Sequence, residues 1–63
     1  MEYKIAIKEL RDTLLISQED LAKMLDVSFA SVNRWENGRH QPTLSAKRKL
    51  KKLFIENGIK IKD

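Results

Sequence analysis

Apolar residues recur along this chain at helical rather than strand spacing. Tyr3, Ile7, Leu10 and Leu14 follow one another at intervals of 4, 3 and 4, which places them on one face of a first helix from about Glu2 to Leu14. Leu21, Ala22, Met24 and Leu25 share one arc of a second helix, with Glu19, Asp20 and Lys23 opposite. Val32 and Trp35 make a narrow buried stripe on a third, and Leu44, Leu50, Leu53 and Phe54 supply the buried side of a last one. Ile59-Lys60-Ile61-Lys62 alternates with period two, but it is too short to stand alone and reads as a frayed tail or a pairing segment for a partner chain. The pattern predicts an all-α fold of four or five helices over residues 1–58, followed by a short tail at 59–63.

The helix boundaries carry their own signals. Ser17 stands where an N-cap should, with Asp20 three residues on in a shortened capping box and Ile16 and Leu21 as a hydrophobic staple. Ser28 repeats the arrangement with Val27 and Val32, so a third helix begins at Phe29. Only Asp26 and Val27 separate the second helix from that cap, and a connection so short forces the helices to cross steeply. Gly38 supplies the positive φ that ends the third helix, Pro42 stops any continuation, and Thr43 caps a last helix running to about Asn57, with Gly58 beyond it.

The third helix carries more than its core stripe needs. Phe29, Ala30, Asn33, Arg34 and Asn37 fill a contiguous arc facing away from Val32 and Trp35. Amide, guanidinium and apolar groups of this kind bond base edges or pack on a thymine methyl in a DNA major groove. Gln18 opens the second helix at a positive dipole end with unsatisfied N–H groups, which suits a phosphate.

Charge sharpens that picture. Net charge is +4 over 63 residues, but it is unevenly placed: residues 1–38 hold five Lys/Arg against seven Asp/Glu, and residues 39–63 hold eight against two. A basic last third beside such an arc is the electrostatic footprint of a polyanion-binding protein, although lysines also serve simply to solubilise a helix. In the last helix, Lys47, Arg48, Lys49, Lys51 and Lys52 supply either a phosphate-facing edge or a solvated surface. The chain has no Cys, so it has no disulfide framework and no thiolate zinc site. His40 has no partner at ligand spacing, and no metal or cofactor is expected. No apolar run approaches a membrane span, and the chain reads as soluble and cytoplasmic, with no membrane partner. No nucleophile–base pair or Gly-rich phosphate loop points to an enzyme.

Taken together, SQEDLAKMLDVSFASVNRWENGRHQP resembles the Xre-type helix-turn-helix family, the Cro and phage-repressor class of DNA-binding domains. The likeness covers roughly residues 5 to 56, and it rests on S-Q-x-x-L-A, V-S, R-W-E-N-G and Pro42 in combination. It implies a repressor-like domain whose helix-turn-helix is formed by helices two and three, and a transcriptional regulator that binds double-stranded DNA. By that resemblance Ser28, Phe29, Ala30, Asn33 and Arg34 read bases, while Gln18, Asn37, Arg39 and Lys47 contact phosphates. Arg11 then pairs with Glu36 to tie helix one to the recognition helix. Weak self-association on two half-sites is expected, because one module reads only one. Members of the family also act as antitoxins or adaptors, so a protein partner is the alternative. Two positions depart from the pattern: Leu15 and Asp26 replace glycines that often end the first two helices. Asp tolerates a left-handed backbone, whereas Leu does not, so a different shape is expected at the end of helix one.

Overall fold

All three expected caps are made. In the computed structural model, which describes residues 3–61, Ser17 Oγ accepts from the Asp20 N–H at 3.0 Å while the Asp20 carboxylate accepts from the Ser17 N–H at 3.2 Å. Hydrogen bonds to the Asp20 carboxyl from the Ser17 backbone N–H and from the Ser17 side chain hold it below its ordinary range. Ser28 Oγ accepts from the Ser31 N–H at 3.1 Å, and Thr43 Oγ1 from the Ala46 N–H at 3.2 Å. The helices they open are α2 (Gln18–Leu25), α3 (Phe29–Glu36) and α4 (Leu44–Glu56), preceded by α1 (Tyr3–Leu14). The expected start of α1 at Glu2 lies outside the described residues, as do Lys62 and Asp63.

Every helix ends the same way. Leu15, Asp26, Gly38 and Gly58 all take positive φ, at 57°, 57°, 75° and 70°. The next N–H in each case reaches back to a carbonyl five residues earlier: Ile16 to Arg11, Val27 to Ala22, Arg39 to Arg34 and Ile59 to Phe54, at 2.8–3.1 Å. This is the Schellman turn, which satisfies carbonyls that a helix end leaves without partners. The expectation that Leu15 would reshape the end of α1 is therefore corrected. Two backbone hydrogen bonds and the packing of Ile16 against the core outweigh the clash of a leucine Cβ.

That clash remains in the folded state and amounts to about 1–2 kcal/mol. The Leu15 side chain is 89% exposed, so almost nothing is gained from it in return. Leu15→Gly is expected to raise the melting temperature by several degrees after the greater chain entropy of glycine is subtracted. Leu15→Ala, which keeps a Cβ, is expected to leave it nearly unchanged, and thermal denaturation followed by circular dichroism separates the two.

The core is drawn from all four helices. Ile7, Leu10, Leu21, Val32 and Leu50 are fully enclosed, Leu25 and Phe54 nearly so, with Trp35 close by. Each such side chain contributes about 1.5–3 kcal/mol through burial. α3 is held between α1 and α2, and α4 leans on α1 and α2, so one flank of α3 is left open. Two expected core positions are corrected. Met24 is 49% exposed because the arc that α2 buries centres on Leu21, Ala22 and Leu25, and Met24 stands at its margin. Leu44 is 64% exposed, since the first turn of α4 lies beyond the edge of the neighbouring helices and its buried face begins at Ala46.

The tail is not frayed over its described part. Ile59 is 5% exposed and belongs to the core, and Ile61 packs against it. The turn at Gly58 sends the chain back, and the Ile59 N–H bonds to the Phe54 carbonyl in the last turn of α4.

Candidate nucleic-acid interface

The open flank of α3 carries the residues that the sequence singled out. Phe29 is 50% exposed at the first turn, and Ser28, Ala30, Arg34 and Asn37 are also exposed. Asn33 is half-buried at the edge of the arc. The Arg34 side chain makes no hydrogen bond or ion pair to other described residues, so its guanidinium is available to a ligand. Ser28 is partly committed: its hydroxyl caps α3 and lies 3.0 Å from the Ser31 hydroxyl.

Behind this surface lies an ion pair. Arg11 Nε donates to Glu36 Oε2 at 2.6 Å, Arg11 Nη2 to Glu36 Oε1 at 2.8 Å, and Arg11 Nη1 to the Ile16 carbonyl at 3.3 Å. The two-pronged contact joins the last turn of α1 to the last turn of α3, and the third bond reaches the turn between α1 and α2. Glu36 is only 3% exposed. Burial pushes its carboxyl up, but hydrogen bonds from Arg11 and Gln18, with the positive charge of Arg11 and Lys8, outweigh that and hold it below its ordinary value.

From Glu36 a row of side-chain amides runs outward. Gln18 Nε2 donates to Glu36 Oε1 at 3.0 Å, Asn33 Nδ2 donates to Gln18 Oε1 at 3.2 Å, and Asn37 Nδ2 donates to Asn33 Oδ1 at 3.0 Å. The start of α2 and the outer edge of α3 are thus stitched together. Sequence spacing does not reveal this row, because it presents Gln18, Asn33 and Asn37 as separate contacts. Asn33 and Asn37 are neighbours at i and i+4 on one helix, but the link from Gln18 to Asn33, 15 residues apart, carries no signal until the two helices are crossed.

The basic residues divide. Arg39 follows the turn at Gly38 and is exposed. Lys47 is half-buried, with its ammonium 5.2 Å from the centre of the Tyr3 ring, so it partners the start of α1. Lys49 is turned inward at its tip and donates to the Leu25 carbonyl at 3.0 Å, which leaves it to brace α4 on α2. Lys4 is an addition that periodicity does not mark. Its Cδ lies 3.3 Å from the point where a Cβ on Gly38 would stand, which brings a basic side chain to the loop after α3. Gly38 is thus constrained by its φ of 75° and by this close neighbour.

No helix among the described residues is long and apolar enough to cross a membrane, and no group of three or more potential metal ligands is found among them. No solved structure matches the chain significantly. One curated relative, described as an HTH-type transcriptional activator BcrR from Enterococcus faecalis, is 32% identical over 54 residues. The alignment takes in 86% of this chain but 26% of the relative, so the chain spans about a quarter of that protein's length. The family model described as Helix-turn-helix matches residues 7–54, from the middle of α1 to the end of the packed part of α4. Two capped helices joined by a three-residue turn, with the second lying open beside the first, are what that description names, and the chain belongs to the helix-turn-helix family.

Proposed function

We propose that this domain binds double-stranded DNA sequence-specifically, with α3 in the major groove, and regulates transcription. The observation that carries the reading is the outer face of α3. Phe29, Ala30 and Arg34 stand exposed there, beside an Asn33 already held in place by the protein. Burial of Val32, Trp35 and Glu36 accounts for the opposite side of the helix and leaves this face without a structural task. Gln18, Asn37 and Arg39 border it and supply phosphate contacts. Lys4 is added to that set, while Lys47 contributes from its place over Tyr3.

The described residues span 25 × 23 × 19 Å, less than the roughly 34 Å between half-sites one helical turn apart. One domain therefore covers one half-site, and two copies associating weakly on DNA complete a palindrome. A domain seated in this way over a promoter blocks access to it, and that is the repressor type of action proposed here. Activation, the role named for the Enterococcus relative, requires a further surface that contacts the transcription machinery.

The test is a selection of bound duplexes from a random pool with the wild type and Arg34→Ala at two salt concentrations. The wild type is expected to return a short motif, and Arg34→Ala to relax it at one position by about 1–3 kcal/mol of discrimination. Affinity should fall with salt by about 0.9 in logarithmic slope per phosphate neutralised. A second reading, a protein-docking module of antitoxin or adaptor type, draws on Ile55. This residue is 70% exposed beside a shallow groove that Lys51, Phe54, Ile59, Lys60 and Ile61 help to line. Recovery of no motif, with uniform loss of binding in salt, favours that reading.

A further inference from the structure

We infer that Glu36, which is buried and does not reach the surface, sets the base preference of Asn33 by fixing which way its amide points. The inference rests on the DNA-reading role proposed for α3.

A side-chain amide has a donor end and an acceptor end of nearly the same shape, and a free one presents either. Here the choice is forced from one end of a row. The Glu36 carboxylate is ionised, held so by Arg11, and an ionised carboxylate only accepts. Gln18 must therefore turn its NH₂ inward to Glu36, which leaves its oxygen facing Asn33. Asn33 must in turn give an N–H to that oxygen, which leaves its own oxygen toward Asn37, where it accepts. Each amide inherits its sense from the one before it, and reversing any of them would set two donors or two acceptors face to face.

The groups left over are fixed as well. Asn33 has one N–H and one oxygen lone pair not used inside the row, so it offers one donor and one acceptor together. That pair complements the N7 and N6–H₂ edge of adenine, whereas the N7 and O6 edge of guanine calls for two donors. Gln18 keeps a second N–H, which is free for a phosphate while its oxygen orients Asn33. Glu36 and Gln18 are positioning residues: they act on the base through Asn33.

The test uses Gln18→Met, which breaks the row but leaves Arg11 and Glu36 paired. Random-pool selections are run on the wild type, Gln18→Met and Asn33→Ala, with folding of each checked by its melting curve. Asn33→Ala identifies the base position that Asn33 reads. Gln18→Met is expected to lower the preference for adenine at that same position by at least about fivefold, the lower end of what one bidentate contact confers. In Glu36→Gln the neutral amide can present either end to Gln18, and the same position should relax where the variant remains folded. Side-chain amide hydrogen exchange of Asn33, measured by NMR without DNA, should be slowed in the wild type and faster in Gln18→Met. A Gln18→Met protein that loses affinity equally for all sequences and keeps its motif would make Gln18 a phosphate contact only and overturn the inference. An Asn33→Ala motif identical to the wild type overturns it too. A wild type that selects no motif overturns the DNA-reading role itself, and this inference with it.

Discussion

Arg11→Ala is expected to leave this domain largely unfolded at 37 °C. Arg11 is half-buried but its partner is enclosed, and removal of the partner of an enclosed charge leaves that charge without compensation and costs about 3–5 kcal/mol. Glu36 would be that charge, with its side chain 2% exposed and Gln18 as its remaining partner. A chain of 63 residues has a total stability of only about 3–9 kcal/mol, so the loss approaches the whole. The double variant Arg11→Met, Glu36→Leu removes both charges and is expected to recover much of the difference, which urea titrations of both proteins would measure. The same pair sets an acid limit. Because the folded Glu36 carboxyl lies below its ordinary value of 4.5, its stabilising effect is complete above that pH and is lost as the pH falls through the lower, folded value. Melting temperatures taken from pH 7 to pH 3 should decline in that window, and less steeply in Glu36→Gln.

Ending the chain after Gly58 is expected to be nearly as damaging. It removes Ile59, a core residue 5% exposed, and Ile61, which packs beside it. Loss of a buried isoleucine costs about 2–5 kcal/mol, and here the backbone bond from Ile59 to the Phe54 carbonyl goes as well. The shortened protein should show a broad, low-temperature transition by circular dichroism. Ile59→Val, which keeps the packing, should melt within a few degrees of the full chain.

That second result bears on what is legible in the sequence. Residues 59–61 read as a tail because alternation over four residues gives no helical signal, although the turn at Gly58 that returns Ile59 to the Phe54 carbonyl is local. Local signals are plain. Ser17, Ser28 and Thr43 act on residues three positions away, so cap chemistry places the starts of three helices within a residue. Margins are obscure. Met24 and Leu44 lie on arcs that periodicity marks as apolar, but their burial depends on how far a neighbouring helix extends. The candidate surface shows the same division. The outer arc of α3 follows from 3.6-residue spacing, and the Arg11 to Glu36 link follows from family likeness. The amide row and the place of Lys4 against Gly38 need the angle at which the helices cross. Leu15 is a different kind of miss, because propensity is right about the strain and wrong about the outcome.

The row from Glu36 through Gln18 to Asn33 also divides the outer face of α3 by how freely it can change during evolution. Phe29, Ala30 and Arg34 have no side-chain hydrogen bond to other described residues, so substitutions there come at little expense to folding. Asn33 is tied to the interior and cannot be exchanged without disturbing Gln18 and Asn37. Under the DNA-reading role proposed for α3, descendants of this sequence would acquire new target sites mainly by drift at positions 29, 30 and 34. Position 33 would hold one letter of the target fixed across the lineage.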